Sequence, residues 1–154
     1  MMNLCKAVFA ALGDKTLVTA ESCTGGMIGS FLTAVPGSSK VYKGGIISYT
    51  NSVKENQLGV RAEVLNQYGA VSEPVAMAMA KGAADCLDAD VAVSVTGLAG
   101  PDGDDRGNPV GTVFIGYADS KTCFARKFIF SGDREQVRIM AVREALQLVV
   151  EMNG

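Results

Sequence analysis

The chain has 154 residues, of which 48% are apolar, and its formal net charge is −2 at pH 7. This size and composition predict one domain, residues 1–154, with a full-sized core. The small negative charge, with no cluster of Lys and Arg, argues against nucleic acid as a ligand. No segment resembles a signal peptide or reaches membrane-spanning length, so we expect a cytoplasmic protein that does not bind membranes.

Histidine is absent. A Ser-His-Asp triad, a Cys-His pair and any histidine metal site are therefore excluded. A nucleophile in this chain must be activated by lysine, tyrosine, a carboxylate or water. Neutral lysine is the strongest of these bases, provided that burial lowers its pKa.

The first elements in the chain are a helix over residues 3–12 and a buried strand over residues 16–20. The strand runs into Ser, Cys, Thr and two glycines at positions 22–26, a segment that we call the Ser22 turn. A sharp turn into a second helix would raise Ser22 off the end of the sheet. The free N–H groups of the helix's first turn would face the same point and could hold an anion or an oxyanion.

The four cysteines lack the paired spacing of zinc or redox sites. We therefore expect them to be mostly buried thiols; they are Cys5, Cys23, Cys86 and Cys123. Cys23 is the exception, because a thiol at a helix N-terminus has a lowered pKa and could itself be a nucleophile.

Residues 41–50 predict a strand that contains Gly44-Gly45, a pair that usually marks a bulge or a close approach. Asn51 is the predicted cap of the helix that follows, which carries Lys54 and ends at Gly59. Tyr49 and Lys54 thus flank a second strand-to-helix junction. If this strand lies beside the first, both side chains reach the same edge of the sheet as Ser22.

The next segments predict a short helical turn over residues 63–68 and a helix that starts at Ser72-Glu73-Pro74, with Ser72 as its cap. A further buried strand over residues 90–96 runs into a loop rich in Gly, Pro and Asp, residues 97–109. Loops at the ends of buried strands are where α/β proteins place ligand contacts.

Alternating residues over 110–117 and 122–130 predict an antiparallel hairpin. Gly132-Asp133 starts the last helix, which runs from Arg134 to about Met152. Strands separated by helices, with one late hairpin, predict an α/β fold, a three-layer α/β/α sandwich with a mixed sheet.

Five motifs resemble, in order, the C-terminal domain of the competence-damage protein CinA. They are AESCTGG at 20–26, GIISY at 45–49 with Asn51 and Lys54, GAVSEP at 69–74, TGLAGP at 96–101 and PVGTV at 109–113. The resemblance covers nearly the whole chain. It implies hydrolysis of the carboxamide of nicotinamide mononucleotide to nicotinate mononucleotide and ammonia, with no metal or cofactor, and it favours a homodimer or larger assembly.

The resemblance places the family's serine on Ser22 and its lysine on Lys54, with Tyr49 beside them. On this hypothesis Ser22 Oγ attacks the amide carbon while neutral Lys54, directly or through Tyr49, takes its proton. Backbone N–H groups around residues 24–26 would stabilise the oxyanion. The predicted oxyanion and substrate-binding residues are Cys23, Thr24, Gly25, Gly26, Gly45, Thr96, Gly97, Ala99, Gly100, Arg134 and Arg138.

The substrate's 5′-phosphate is assigned to the loop over residues 97–103 and to Arg134 and Arg138, which lie one turn apart on the last helix. Asp104-Asp105 follow Gly103, where related sequences often have a second glycine. Two negative charges there would oppose phosphate binding unless they face solvent or Arg106.

Two other classes of function remain open. The chain could be a non-catalytic partner domain that acts in competence or DNA-damage physiology, or a phosphate-binding module without turnover. An ammonia-release assay on nicotinamide mononucleotide separates these three functions.

Overall fold

The computed structural model describes all 154 residues. The strands are β1 (Leu17–Glu21), β2 (Tyr42–Ile47), β3 (Val91–Gly97), β4 (Thr112–Ala118) and β5 (Cys123–Ile129). The helices are α1 (Met2–Leu12), α2 (Met27–Thr33), α3 (Asn51–Leu58), α4 (Ala62–Tyr68), α5 (Glu73–Leu87) and α6 (Arg134–Asn153), with a 3₁₀ turn at Ser38–Lys40. No helix is both long and apolar enough to cross a membrane.

The five strands form one sheet in the order β2-β1-β3-β4-β5. The strands β2, β1 and β3 are parallel, whereas β4 is antiparallel to both of its neighbours. Because parallel strands end at the same edge, the segments that follow β1, β2 and β3 meet there. In α/β proteins this edge is where ligands bind.

Helices cover both faces of the sheet. Side chains of α1, α2 and α6 pack on one face with Leu17 and Val91, while those of α3, α4 and α5 pack on the other with Val18 and Ala92. Neighbouring residues of β1 and β3 thus contribute to opposite cores, as the alternation of side chains along a strand requires. The predicted three-layer sandwich with a mixed sheet is confirmed.

The glycine pair in β2 marks a bulge, as predicted. Leu17 pairs with Tyr42 but Val18 pairs with Gly44, so the register shifts between them. Gly44 has φ +150°, a backbone conformation that side chains rarely adopt.

One of the two cap predictions needs correction. Thr50 is the N-cap of α3, and Asn51 is its first helical residue. Ser72 is the N-cap of α5, as predicted, but its hydroxyl accepts no N–H group of the helix's first turn. It donates instead to the carbonyl of Gly69, at 2.8 Å, because the chain turns back on itself before the helix.

Candidate active site

Ser22 lies directly beyond the last residue of β1. Its N–H donates to the carbonyl of Val95 in β3, at 2.9 Å, so its backbone stays tied to the sheet. Its side chain lines a cleft of about 360 Å³. This Ser22 cleft is lined by Ser22, Cys23, Tyr49, Asn51, Lys54, Ala70, Val71, Thr96, Gly97, Leu98, Ala99, Gly100, Pro101, Asp102 and Arg134.

The amine of Lys54 is the base nearest to Ser22. Its Nζ lies 3.0 Å from Ser22 Oγ, 2.7 Å from the carbonyl oxygen of Ser48 and 3.3 Å from that of Tyr49. The residue is 1% exposed, and no carboxylate forms a salt bridge with it. Burial lowers the pKa of Lys54 from its ordinary value of 10.5 to about 8.

The three partners of this amine are not equivalent. The carbonyls of Ser48 and Tyr49 can only accept hydrogen bonds, whereas the Ser22 hydroxyl can also donate. When Lys54 is neutral, its two N–H groups can bond to the carbonyls, and its lone pair is then left for the Ser22 hydroxyl. The arrangement therefore has the geometry of a nucleophile with its base.

Tyr49 contacts this pair through its backbone. Its carbonyl oxygen lies 3.5 Å from Ser22 Oγ, whereas its hydroxyl accepts a hydrogen bond from Arg134 Nη2 at 3.1 Å. The hydroxyl forms no hydrogen bond with Ser22 or Lys54. The structure therefore shows the direct contact between amine and hydroxyl, not a relay through the phenol.

A buried carboxylate accepts the N–H groups at the start of α2. Glu21 is 2% exposed, and its side chain accepts the N–H groups of Ile28, at 2.9 Å, and Gly29, at 3.1 Å, together with the Thr24 hydroxyl, at 2.7 Å. The expectation that the N–H groups of the helix's first turn face Ser22 is therefore wrong. The signal in the sequence was the glutamate itself, placed between a buried strand and a helix start that needed an acceptor.

Other N–H groups in the Ser22 turn remain free. The N–H of Gly25 donates to the carbonyl of Ser22, at 3.0 Å, which removes it from the predicted oxyanion donors. The N–H groups of Cys23, Thr24 and Gly26 have no acceptor in the protein. Gly25 and Gly26 adopt φ +59° and +98°, which explains the glycine pair in this turn.

The Cys23 thiol is not activated. Burial raises its pKa to about 11, and the nearby positive charges of Arg138 and Lys54 offset this only in part. The predicted lowering of the pKa is wrong because the helix N–H groups bond to Glu21 and Cys23 is only 6% exposed. At neutral pH the thiol stays protonated and is a poor nucleophile.

Arg134 reaches the opposite wall of the cleft from α6. Its Nη1 donates to the carbonyl of Gly100, at 2.7 Å, and its Nη2 donates to Tyr49. Gly97, Ala99 and Gly100 line the cleft beside it. Thr96 also lines it, and its hydroxyl donates to the carbonyl of Ala70, at 2.8 Å.

Five predicted binding residues do not line the cleft: Thr24, Gly25, Gly26, Gly45 and Arg138. Arg138 donates from Nε to the carbonyl of Cys23, at 2.9 Å, and from Nη2 to that of Thr24, at 3.2 Å. Gly45 lies inside β2, where a Cβ would overlap Thr19 Oγ1. The glycine there allows a side chain of the neighbouring strand to approach the backbone.

Asp104 and Asp105, whose charges would oppose phosphate binding, lie outside the cleft. Asp104 accepts the N–H groups of Arg106 and Asn108 and the Asn108 side-chain amide, at 2.7–3.1 Å, so it stabilises the loop internally. Neither Asp104 nor Asp105 lines the cleft.

Asp102 and Asn51 do line the cleft, and the sequence analysis missed both as binding residues. No three Cys, Asp or Glu side chains form a cluster that could hold a metal ion.

Known proteins resemble the chain over nearly its full length. The sequence model of the CinA C-terminal domain matches residues 3–153. Nicotinamide-nucleotide amidohydrolase PncC of Escherichia coli (strain K12) is 45% identical over 150 residues, which are 96% of this chain and 91% of that protein.

Other relatives are longer. A putative competence-damage inducible protein of Clostridium tetani is 50% identical over 130 residues, 84% of this chain but 32% of that protein. The chain therefore spans about a third of the length of such longer curated relatives. Among solved structures, the competence damage-inducible protein A of Klebsiella pneumoniae superposes with a TM-score of 0.95 at 37% identity, covering 97% of this chain and 94% of that one.

Proposed function

The chain belongs to the CinA C-terminal domain family, and on that premise we propose that it hydrolyses the carboxamide of nicotinamide mononucleotide to nicotinate mononucleotide and ammonia. The observation that carries the proposal is the 3.0 Å contact between the buried amine of Lys54 and Ser22 Oγ. It is supported by the 45% identity to the E. coli nicotinamide-nucleotide amidohydrolase, most of whose length this chain covers.

In the first step Ser22 Oγ attacks the amide carbon of the substrate. The new C–O bond forms as the carbonyl electron pair moves to oxygen, and the Ser22 proton passes to neutral Lys54. With a pKa of about 8, Lys54 is neutral in an appreciable fraction of molecules at neutral pH and still basic enough to accept the proton. No histidine is needed.

In the second step the proton returns. Protonated Lys54 donates its proton to the departing nitrogen, and the C–N bond breaks. Ammonia leaves, and the acyl group stays on Ser22 as an ester. Water then attacks this ester, its proton passes to Lys54, and Ser22 takes that proton back as nicotinate mononucleotide leaves. The base is therefore regenerated in each turnover.

Negative charge on the substrate oxygen needs donors close to Ser22. The N–H groups of Cys23, Thr24 and Gly26 are the donors of this turn that are not bonded within the protein. A donor of this kind contributes about 3 kcal/mol of transition-state stabilisation where it has been tested. The Ser22 turn would thus provide both the nucleophile and the oxyanion site.

The phosphate of the substrate is assigned to Arg134. It is the one arginine that lines the cleft, and the other cation there, Lys54, is occupied by Ser22 and two carbonyls. A guanidinium has five N–H groups, so Arg134 keeps donors for a phosphate beside its bonds to Gly100 and Tyr49. Asn51 and Asp102 lie in the same cleft and can bond to ribose hydroxyls.

Ammonia release from nicotinamide mononucleotide tests the proposal. We expect turnover by the unaltered chain and none above background by Ser22→Ala. Binding without turnover would indicate a phosphate-binding module, and neither binding nor turnover would indicate a partner domain. The homo-oligomer and the cytoplasmic location remain predictions; light scattering on the purified protein tests the first.

A further inference from the structure

We propose that Arg138 is a positioning residue that orients the oxyanion donors of the Ser22 turn and does not bind the substrate's phosphate. This inference rests on the proposed function only in taking Ser22 as the nucleophile. It assigns to Arg138 a role in the rate of the chemical step.

The geometry separates Arg138 from Arg134 although both lie on α6. Arg138 is half-buried, lies outside the lining of the cleft, and directs its guanidinium at two successive carbonyls, those of Cys23 and Thr24. A Cβ on Gly25 would lie 3.6 Å from its Nη2, so the guanidinium packs directly against the turn.

The planarity of the peptide bond transmits this contact to the other side of the turn. In a trans peptide the carbonyl of one residue and the N–H of the next point in opposite directions. When Arg138 holds the carbonyl of Cys23, it therefore directs the N–H of Thr24 away from itself, and that N–H has no acceptor in the protein.

The bond from Arg138 to the carbonyl of Thr24 orients a second peptide in the same way. The carbonyl of Thr24 shares its peptide with the N–H of Gly25, and that N–H donates to the carbonyl of Ser22, at 3.0 Å. Arg138 thereby also restrains the backbone of the nucleophile. Its positive charge polarises both peptides, which strengthens their N–H groups as donors.

The turn has a separate anchor that does not involve Arg138. Glu21 holds Thr24 through its hydroxyl and the start of α2 through two N–H groups. The fold of the turn therefore has support without Arg138. What Arg138 adds is the orientation of the peptide planes, which affects the transition state more than substrate binding.

Steady-state kinetics test this role with Arg138→Ala, Arg138→Lys and the matched control Arg143→Ala, an exposed arginine of the same helix with no hydrogen bond in the structure. We expect Arg138→Ala to lower kcat by about tenfold to a hundredfold with KM within about twofold. Lysine keeps the charge but not the planar fork, so Arg138→Lys should restore only part of the rate.

Two kinetic results would overturn the proposal. One is a raised KM with unchanged kcat, which would make Arg138 a phosphate ligand. The other is full activity in Arg138→Lys, which would show that charge alone suffices. Millimolar guanidinium ion should raise kcat of Arg138→Ala and leave Arg143→Ala unchanged; absence of this rescue in folded Arg138→Ala would also contradict the proposal.

A second reaction separates this inference from the amidase proposal. A fluorophosphonate phosphonylates an activated serine: the Ser22 oxygen bonds to phosphorus, fluoride leaves, and Lys54 takes the proton. Its phosphoryl oxygen needs the same donors as the oxyanion. We expect mass spectrometry to locate the adduct on Ser22, formed at least tenfold more slowly in Arg138→Ala.

Labelling that depends on Arg138 without amidase activity would sustain the inference and reject nicotinamide mononucleotide as the substrate. Equal labelling rates in the unaltered chain and Arg138→Ala, or no labelling of Ser22 in the unaltered chain, would overturn the inference. Arg138→Lys provides the same comparison if Arg138→Ala does not fold.

Discussion

The amine of Lys54 lies 3.0 Å from the hydroxyl of Ser22, across 32 positions of sequence. The contact exists because β1 and β2 are parallel neighbours, so the residues that follow them meet at one edge of the sheet. Ser22 follows β1 directly, and Lys54 lies in the first turns of the helix after β2.

The rate should depend on the protonation of Lys54. Because the neutral amine is the proposed base and its pKa is about 8, kcat/KM should rise about tenfold per pH unit below pH 8 and level off above it. A pH-rate profile with nicotinamide mononucleotide measures this. Lys54→Arg should remove the base and, with it, the rise of kcat/KM with pH. An unchanged pH-rate profile in that variant would reject Lys54 as the base.

Stability should also vary with pH through Lys54. Its pKa is about 8 in the folded state and near the ordinary 10.5 when unfolded, so the unfolded state binds more protons between these values. The Lys54 contribution to the free energy of unfolding should therefore rise from pH 8 to 10.5 and stay constant below 8. Urea titrations of the unaltered chain and of Lys54→Met measure the free energy of unfolding at each pH. Its rise between pH 8 and 10.5 should be smaller in the variant.

Arg134→Ala should impair binding of the phosphorylated substrate. Loss of charged hydrogen bonds to phosphate should raise KM for nicotinamide mononucleotide by about tenfold to a hundredfold. Nicotinamide riboside, which lacks the phosphate, should be turned over poorly and almost equally by both proteins. Equal KM values of the unaltered chain and Arg134→Ala for the mononucleotide would contradict the assignment.

Glu21→Gln should destabilise the turn that carries the nucleophile. The amide would direct N–H groups at the N–H of Ile28 or Gly29 or at the Thr24 hydroxyl, all of which donate to Glu21. Leaving a buried donor unpaired costs about 1–3 kcal/mol, which urea unfolding can resolve. Glu63→Gln, in an exposed ion pair, should change stability by less than about 1 kcal/mol.

Ser48→Ala should leave stability unchanged or increase it. The Ser48 hydroxyl is buried without a hydrogen-bond partner, and a buried unpaired hydroxyl costs about 1–3 kcal/mol. Ser94 is the matched control, because its buried hydroxyl donates to the carbonyl of Ala76, at 2.6 Å. Ser94→Ala should lose about 1 kcal/mol, and a larger loss for Ser48→Ala would show that its hydroxyl has a partner.

The order of strands and helices, the mixed sandwich and the two junctions that carry Ser22 and Lys54 could all be predicted from the amino-acid sequence. These features depend on local patterns: apolar periodicity, glycines and prolines at breaks, and the absence of histidine, which left lysine as the candidate base. The family resemblance rests on the same local motifs, and the match to residues 3–153 confirms it.

Which groups are free, charged or exposed could not be predicted from these local patterns. The burial of Lys54, the raised pKa of the Cys23 thiol and the capping of α2 by Glu21 all depend on contacts that the fold creates. Arg134 and Arg138 look alike in the sequence, yet one lines the cleft and the other holds the Ser22 turn. The pKa of a group and the direction of its hydrogen bonds depend on its neighbours in space, and the fold brings these together from distant positions of the chain.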